Sequence, residues 1–160
     1  MANLITRQAD FADYEGISAL YKARLARLAK EQPDQYRPEG AEIGLAEQPF
    51  INTIDNPTWA FIVAEQDGQI VGAIQVSGEE EPETEYRFAR MRGWIEELVV
   101  TEGDAVETIA TTLIERAQSW AKEQKMQDLD FIVYDFNSEL LKVTEKLGFT
   151  TASTRVRKSL

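Results

Sequence analysis

The stretch from Trp94 to Phe149 alternates strand and helix signals, and this order constrains the fold more than any other feature of the chain. A run ending in WIEELVV predicts a strand, and residues 104–124 carry an apolar stripe at helical spacing. LDFIVYD, residues 129–135, predicts a second strand, and Asn137 can cap a second helix over residues 138–147. Strands joined by a helix are parallel with a right-handed crossover, so the pattern predicts an α/β domain.

The first half of the chain adds helices and a hairpin. Apolar spacing predicts three elements there: a strand over residues 4–7, a helix over 11–30 and a weaker helix over 39–54. The Asp67-Gly68 turn joins two apolar runs, 59–65 and 69–77, and predicts a β-hairpin. Two further segments are expected after it: a solvated acidic loop over 78–85 and a last strand over 149–157. We see no linker or repeat, so residues 1–160 are interpreted as a single domain.

Composition excludes several kinds of chemistry. The chain has no cysteine and no histidine, which rules out thiolate catalysis, disulfides and the commonest metal ligands, so no metal site is predicted. A net charge of −11 argues against nucleic-acid binding and favours a cationic partner such as an amine, although it also serves solubility. Since there is neither a long apolar run nor a signal-like N-terminus, we expect a cytoplasmic protein without a membrane span.

The residues from Ile95 to Phe149, with ELVV, YDFN and EKLGF at their spacing, resemble the GNAT superfamily of acetyl-CoA-dependent N-acetyltransferases. The hairpin AFIVAEQDGQIVGAIQVS is similar to the second and third strands of that fold. The resemblance implies a layered α/β fold, with a mixed, mostly antiparallel sheet of six to seven strands, flanking helices and a central parallel crossover. It also implies acetyl-CoA as cofactor and a small-molecule or peptide amine as acceptor, and it is compatible with a homodimer.

The resemblance also implies a phosphate-binding turn at the start of the long helix. Family members carry Arg/Gln-x-x-Gly-x-Gly/Ala there, and this chain places Ala105, Thr108 and Ala110 at the corresponding positions, of which only Ala110 fits. Asp104 and Glu107 form a D-x-x-E capping pair, so we expect Asp104 to cap the helix and occupy its free N–H groups.

Catalytic roles are implied in the same way. A glutamate on the ELVV strand is the expected base, and Glu96 and Glu97 both remain candidates because neighbours on a strand point to opposite faces. Thr144 stands where the family often has a tyrosine acid, which leaves Tyr134 as a substitute if its hydroxyl faces the cleft; otherwise it is a packed strand aromatic.

Three further residues complete the implied site. The backbone N–H of Val99 or Val100 is expected to polarise the thioester carbonyl. Asn137 corresponds to a family residue that orients the cofactor, although a helix cap explains it equally well.

Two functions compete at this point. The first is direct acetyl transfer from acetyl-CoA to an amine. The second is a catalytically inactive GNAT-fold protein that binds or regulates and has lost ordinary CoA binding. A third, weaker alternative is an enzyme that uses a different acyl donor.

Overall fold

The computed structural model describes residues 3–160. Within them, one sheet contains five strands: β1 (Leu4–Gln8), β2 (Trp59–Gln66), β3 (Gln69–Glu81), β4 (Arg90–Val100) and β5 (Asp128–Phe131). It is flanked by five helices: α1 (Tyr14–Glu31), α2 (Gly40–Ile43), α3 (Glu47–Ile54), α4 (Val106–Glu123) and α5 (Ser138–Lys146). The α/β class is therefore confirmed. None of the helices in the described residues is long and apolar enough to cross a membrane.

The strands lie side by side in chain order. All neighbouring pairs are antiparallel except β4 and β5, which are parallel and are joined through α4. The predicted hairpin is confirmed between β2 and β3. Its turn residues Asp67 and Gly68 have φ values of 51° and 78°, the positive values that a two-residue type I′ turn requires.

Apolar side chains are buried on both faces of the sheet. On one face, Ile109 and Leu113 of α4 pack in one cluster with Ile74. On the other face, Ile17 of α1 and Phe50 of α3 belong to a second cluster. The central strands are therefore covered on both sides, which explains why WAFIVAE is almost continuously apolar rather than alternating.

β4 and β5 are paired over a short length only. Residues Arg92–Ile95 of β4 face Asp128–Phe131 of β5. A β-bulge follows in β4, where Glu96 is the extra residue in the pairing with β3. Beyond it β4 continues to Val100 without β5 alongside. One edge of β4 is consequently open at its C-terminal end.

Two predictions about strands are wrong. β5 ends at Phe131 rather than at Asp135, because its pairing with β4 ends there and no other described strand lies beside it. Residues 149–157 form no strand, so the sheet has five strands rather than six to seven. That segment leaves most of its side chains exposed, including Val156 at 87%, and has too few alternating apolar residues to bury one face against a sheet.

The acidic segment 78–85 is only partly a loop. β3 continues to Glu81, and Glu79–Glu81 face Arg90–Arg92 across the hairpin. Nη2 of Arg92 lies 3.5 Å from Oε2 of Glu81. Because opposite charges face one another, the hairpin extends through residues that composition alone assigns to solvent.

The weaker helix expected over residues 39–54 is divided into α2 and α3. Gly44 follows α2 with a φ of 64°, a value that interrupts a right-handed helix. Pro49 does not break α3, because it lies in the first turn, where its missing N–H would have no helical acceptor.

Candidate functional site

A cavity of about 420 Å³ lies beside the open edge of β4. Its floor is Leu98–Val100 of β4. One side, here called the α4–α5 wall, comprises Glu102, Gly103, Val106, Glu107, Ala110, Tyr134, Phe136, Asn137, Glu139, Leu140 and Val143. The other side, here called the α1 wall, comprises Ala23, Arg24, Arg27 and Leu28. The two walls belong to helices on opposite faces of the sheet.

The open edge of β4 directs a backbone N–H group toward the cavity. The N–H of Thr101 donates to the carbonyl oxygen of Val71 in β3, at 2.8 Å. Because N–H groups alternate in direction along a strand, the N–H of Val100 points to the opposite edge, where β5 is no longer paired. This group can donate a hydrogen bond to a ligand in the cavity.

The predicted cap of α4 is wrong. The helix begins at Val106, which makes Ala105 the N-cap residue, and no side chain caps this end. Asp104 lies one position too early because the backbone turns at Gly103, whose φ is 137°. A φ in this region strongly favours glycine, so Gly103 fixes where the helix starts.

Backbone N–H groups at the start of α4 are therefore available. The N–H groups of Glu107 and Thr108 have no hydrogen-bond acceptor within residues 3–160. The side chain of Glu107 points instead to α5 and accepts a hydrogen bond from Lys146, which lowers the pKa of this carboxyl. Free N–H groups and the positive end of the helix dipole make this end suitable for an anion.

The two glutamates of β4 have different surroundings. Neither of them lines the cavity, although Glu97 directly precedes the lining residue Leu98. Glu96 accepts a hydrogen bond from Oγ of Ser77 at 2.5 Å. Oε2 of Glu97 lies 3.0 Å from Nη2 of Arg24 on the α1 wall. The two groups form an ion pair without hydrogen-bond geometry, so this buried oxygen has no hydrogen-bond partner within residues 3–160. Burial raises the pKa of Glu97, and the nearby Arg24 opposes that rise.

Tyr134 lines the cavity with its hydroxyl in contact with a second tyrosine. Its oxygen lies 2.8 Å from that of Tyr36, which belongs to the connection between α1 and α2. This hydrogen bond raises the pKa of Tyr36. The Tyr134 ring stacks on Phe136 with a centroid distance of 5.3 Å. Thr144, by contrast, is buried, and its hydroxyl donates a hydrogen bond to the carbonyl oxygen of Leu141 within α5. It does not face the cavity.

The model of the acetyltransferase (GNAT) family matches residues 21–149, most of the chain. The chain belongs to the GNAT family. The resemblance inferred from ELVV, YDFN and EKLGF is thereby confirmed, and membership assigns the chain to a family of transferase enzymes. Among curated proteins, no sequence matches it significantly.

Solved structures share the fold of this GNAT chain. A tetramutant of the BH1408 protein from Bacillus halodurans is 20% identical, with a TM-score of 0.89 over 98% of this chain and 99% of that one. A predicted acetyltransferase with acetyl-CoA, from Clostridium acetobutylicum, is 21% identical, with a TM-score of 0.69 and 98% and 96% coverage. An aminoglycoside 6'-N-acetyltransferase from Acinetobacter baumannii is 15% identical, with a TM-score of 0.68 and 99% and 98% coverage.

The residues expected to bind the cofactor are brought together in part. Four of them line the GNAT cavity: Val99, Val100, Ala110 and Asn137. Ala105 and Thr108 lie near its rim and contribute no side chain to the lining. Asn137 is a helix cap, since its Oδ1 accepts a hydrogen bond from the N–H of Leu140 at 3.3 Å. Binding of the cofactor by these residues stays a prediction.

Sequence reasoning missed the α1 wall. Arg24 and Arg27 lie three residues apart and therefore share a face of α1, but nothing in the sequence shows that this face borders β4. Tyr36 follows α1 in an irregular segment and gave no signal. Arginines at helical spacing are typical of any solvated helix, and only tertiary packing assigns these two to the site.

Proposed function

We propose that this GNAT protein transfers the acetyl group of acetyl-CoA directly to the amine of a small molecule or peptide. One observation carries the proposal. A single cavity is bordered by the open edge of β4, the uncapped N-terminus of α4, Tyr134 and Arg24, and Arg24 contacts Glu97, which lies outside the lining. The edge of β4 can donate to a thioester carbonyl, and the N-terminus of α4 can bind a pyrophosphate. Glu97 and Tyr134 can carry the two proton transfers.

The α4–α5 wall fits the donor. Its apolar side chains Val106, Leu140 and Val143 suit the pantetheine arm. The N–H groups of Glu107 and Thr108 suit the pyrophosphate, since a helix N-terminus favours phosphate groups. Bound acetyl-CoA supplies an activated acetyl thioester. The N–H of Val100 would be the group that donates to the thioester carbonyl oxygen, where negative charge would develop.

Glu97 is the proposed base. Its burial raises its pKa, and a carboxylate with a raised pKa is a stronger proton acceptor near neutral pH. Arg24 is its neighbour in the free protein, at 3.0 Å. In the proposed complex, the ammonium group of the acceptor takes the place of Arg24 beside this carboxylate. Glu96 already binds Ser77 and is not part of the proposal.

Tyr134 is the proposed acid. Glu97 first accepts a proton from the bound ammonium group and releases it to solvent, which leaves a neutral amine. The amine nitrogen then bonds to the acetyl carbon, the carbon–sulfur bond breaks, and the second proton that the nitrogen loses goes to Glu97. The Tyr134 hydroxyl gives its proton to the departing sulfur, and Tyr36 stabilises the phenolate through their hydrogen bond. Transfer is direct in this scheme because the chain has no cysteine to carry an acyl group.

The alternative of an inactive GNAT-fold protein is favoured by the altered signature at Ala105 and Thr108 and by Thr144 in place of the tyrosine. A side-chain cap at Asp104 would also have occupied the N–H groups of α4, but no side chain caps this helix. The signature glycine that Thr108 replaces is partly compensated by Gly103, which lets the backbone turn sharply beside the cavity. The enzymatic function is therefore the better supported of the two.

A thiol-release assay tests the proposal. Free CoA is detected with a thiol reagent, and the enzyme gives no background because it has no cysteine. We expect release above the enzyme-free blank with at least one amine from a panel of polyamines, an aminoglycoside and a lysine-containing peptide. Mass spectrometry of the acetylated amine should account for the same number of acetyl groups. Release that does not depend on any amine in the panel would contradict the proposal.

A further inference from the structure

The α4–α5 wall offers N–H groups to a phosphate but not positive charge. Glu102, Glu107 and Glu139 all line this wall. Lys146 neutralises Glu107 through their salt bridge, and the other two form no salt bridge within residues 3–160. A dianionic pyrophosphate near these carboxylates is repelled, so it needs a cation from elsewhere.

The α1 wall carries two arginines, and only one of them is paired. Arg24 lies 3.0 Å from Glu97. Arg27 forms no salt bridge with any carboxylate in the described part of the chain. Its guanidinium carbon lies 6.0 Å from the centre of the Phe136 ring, which limits the orientations that the side chain samples. Arg27 is thus an exposed cation beside the Phe136 ring at the cavity, and it has no acid partner within residues 3–160.

Arg27 also borders the turn at which the phosphates are expected. Besides the main cavity, it lines a shallow depression that it shares with Lys30 and Glu102. Glu102 directly precedes Gly103, so this depression adjoins the turn that leads into α4. The second arginine, Arg24, lines only the main cavity.

We propose that Arg27 binds the phosphate groups of the acyl donor and supplies the positive charge that the altered α4 turn lacks. The proposal rests on the function proposed above. A guanidinium donates two parallel hydrogen bonds to phosphate oxygens, and it keeps its charge at any physiological pH. Phosphate recognition is then divided between two helices. α4 gives backbone N–H groups, and α1 gives the cation.

Calorimetric titration of Arg27→Gln tests this assignment with two donors, acetyl-CoA and S-acetylpantetheine, which has no phosphate. Loss of one charge-assisted phosphate contact should weaken acetyl-CoA binding by about tenfold. The dissociation constant of S-acetylpantetheine should stay within about twofold, since its contacts do not involve phosphate. Arg27→Lys should recover part of the loss, because it keeps the charge without the planar fork.

Arg87→Gln is the matched control. It removes the same charge from an exposed side chain that borders neither depression and forms no salt bridge within residues 3–160. It should leave acetyl-CoA binding unchanged. Unchanged acetyl-CoA binding in Arg27→Gln, equal weakening of both donors, or the same weakening in Arg87→Gln would each overturn the proposal. Failure of the wild-type protein to bind acetyl-CoA would instead contradict the proposed function itself.

Discussion

The two walls of the cavity differ in charge and in origin. The α4–α5 wall comes from one continuous part of the chain, residues 102–143, and presents carboxylates together with backbone N–H groups. The α1 wall comes from residues 23–28 and presents two arginines. Neither wall alone is suited to a phosphorylated thioester and a cationic amine. Facing one another, they combine anion-binding groups with the half-buried carboxylate of Glu97, which Arg24 contacts.

This difference explains how a degenerate sequence signature can accompany an intact cavity. The family signature consists of side chains along one segment. In this chain that segment lacks the Arg/Gln and one glycine of the signature. Backbone N–H groups need no particular side chain, so a helix N-terminus keeps its anion preference when the signature changes. A cation can come from any helix that borders the same space. Charge at the site is therefore a property of both walls, and only the tertiary structure reveals the second.

The largest predicted effect concerns the contact between β4 and the α1 wall. Glu97→Gln should lower kcat by about a hundredfold or more, the usual contribution of a general base. Turnover at saturating acetyl-CoA and amine measures it. In the wild type, kcat/KM should fall as the pH drops through the raised pKa of Glu97, above the ordinary value of 4.5, because protonation removes the base.

Glu96→Gln is the control for that change, on the neighbouring residue of the same strand. Its amide oxygen can still accept the hydrogen bond from Ser77, so stability and turnover should both change little. Equal losses at the two positions would show that the effect is not specific to Glu97, and an unaffected Glu97→Gln enzyme would remove the base from the mechanism.

A smaller predicted effect concerns the free energy of unfolding, which should respond differently to changes at the N-terminus of α5 and at that of α4. Asn137→Ala removes a formed cap and should lower the free energy of unfolding by about 1 kcal/mol, or the melting temperature by about 3 °C. Asp104→Ala removes an exposed carboxylate that caps nothing, so its effect should be below about 0.5 kcal/mol. Thermal or urea denaturation of both variants measures the difference. A loss of similar size at Asp104 would restore it as the cap of α4.

The sequence predicted the α4–α5 wall well because its signals are local. The apolar stripe of α4, the cap at Asn137 and the ELVV strand each depend on neighbouring residues, and the resemblance to the GNAT family fixed their arrangement. The predicted start of α4 was wrong because its local sequence pattern is compatible with two helix starts. Asp104 is a good capping residue, but the backbone turn at Gly103 starts the helix one position later.

Long-range features were not predictable in the same way. The open edge of β4 depends on a bulge at Glu96 that has no reliable sequence pattern. The Tyr36 hydroxyl reaches Tyr134 across 98 positions of the chain. The end of β5 depends on where its partner strand stops being paired, which is a property of the sheet.

We propose above that this cavity binds acetyl-CoA although the family signature is altered. The most direct measurement is the melting temperature of the wild-type protein over a range of acetyl-CoA concentrations. At a hundredfold excess over the dissociation constant, binding adds about 2.7 kcal/mol, which should raise the melting temperature by roughly 5 to 10 °C. A melting temperature that stays constant up to millimolar acetyl-CoA would contradict the account.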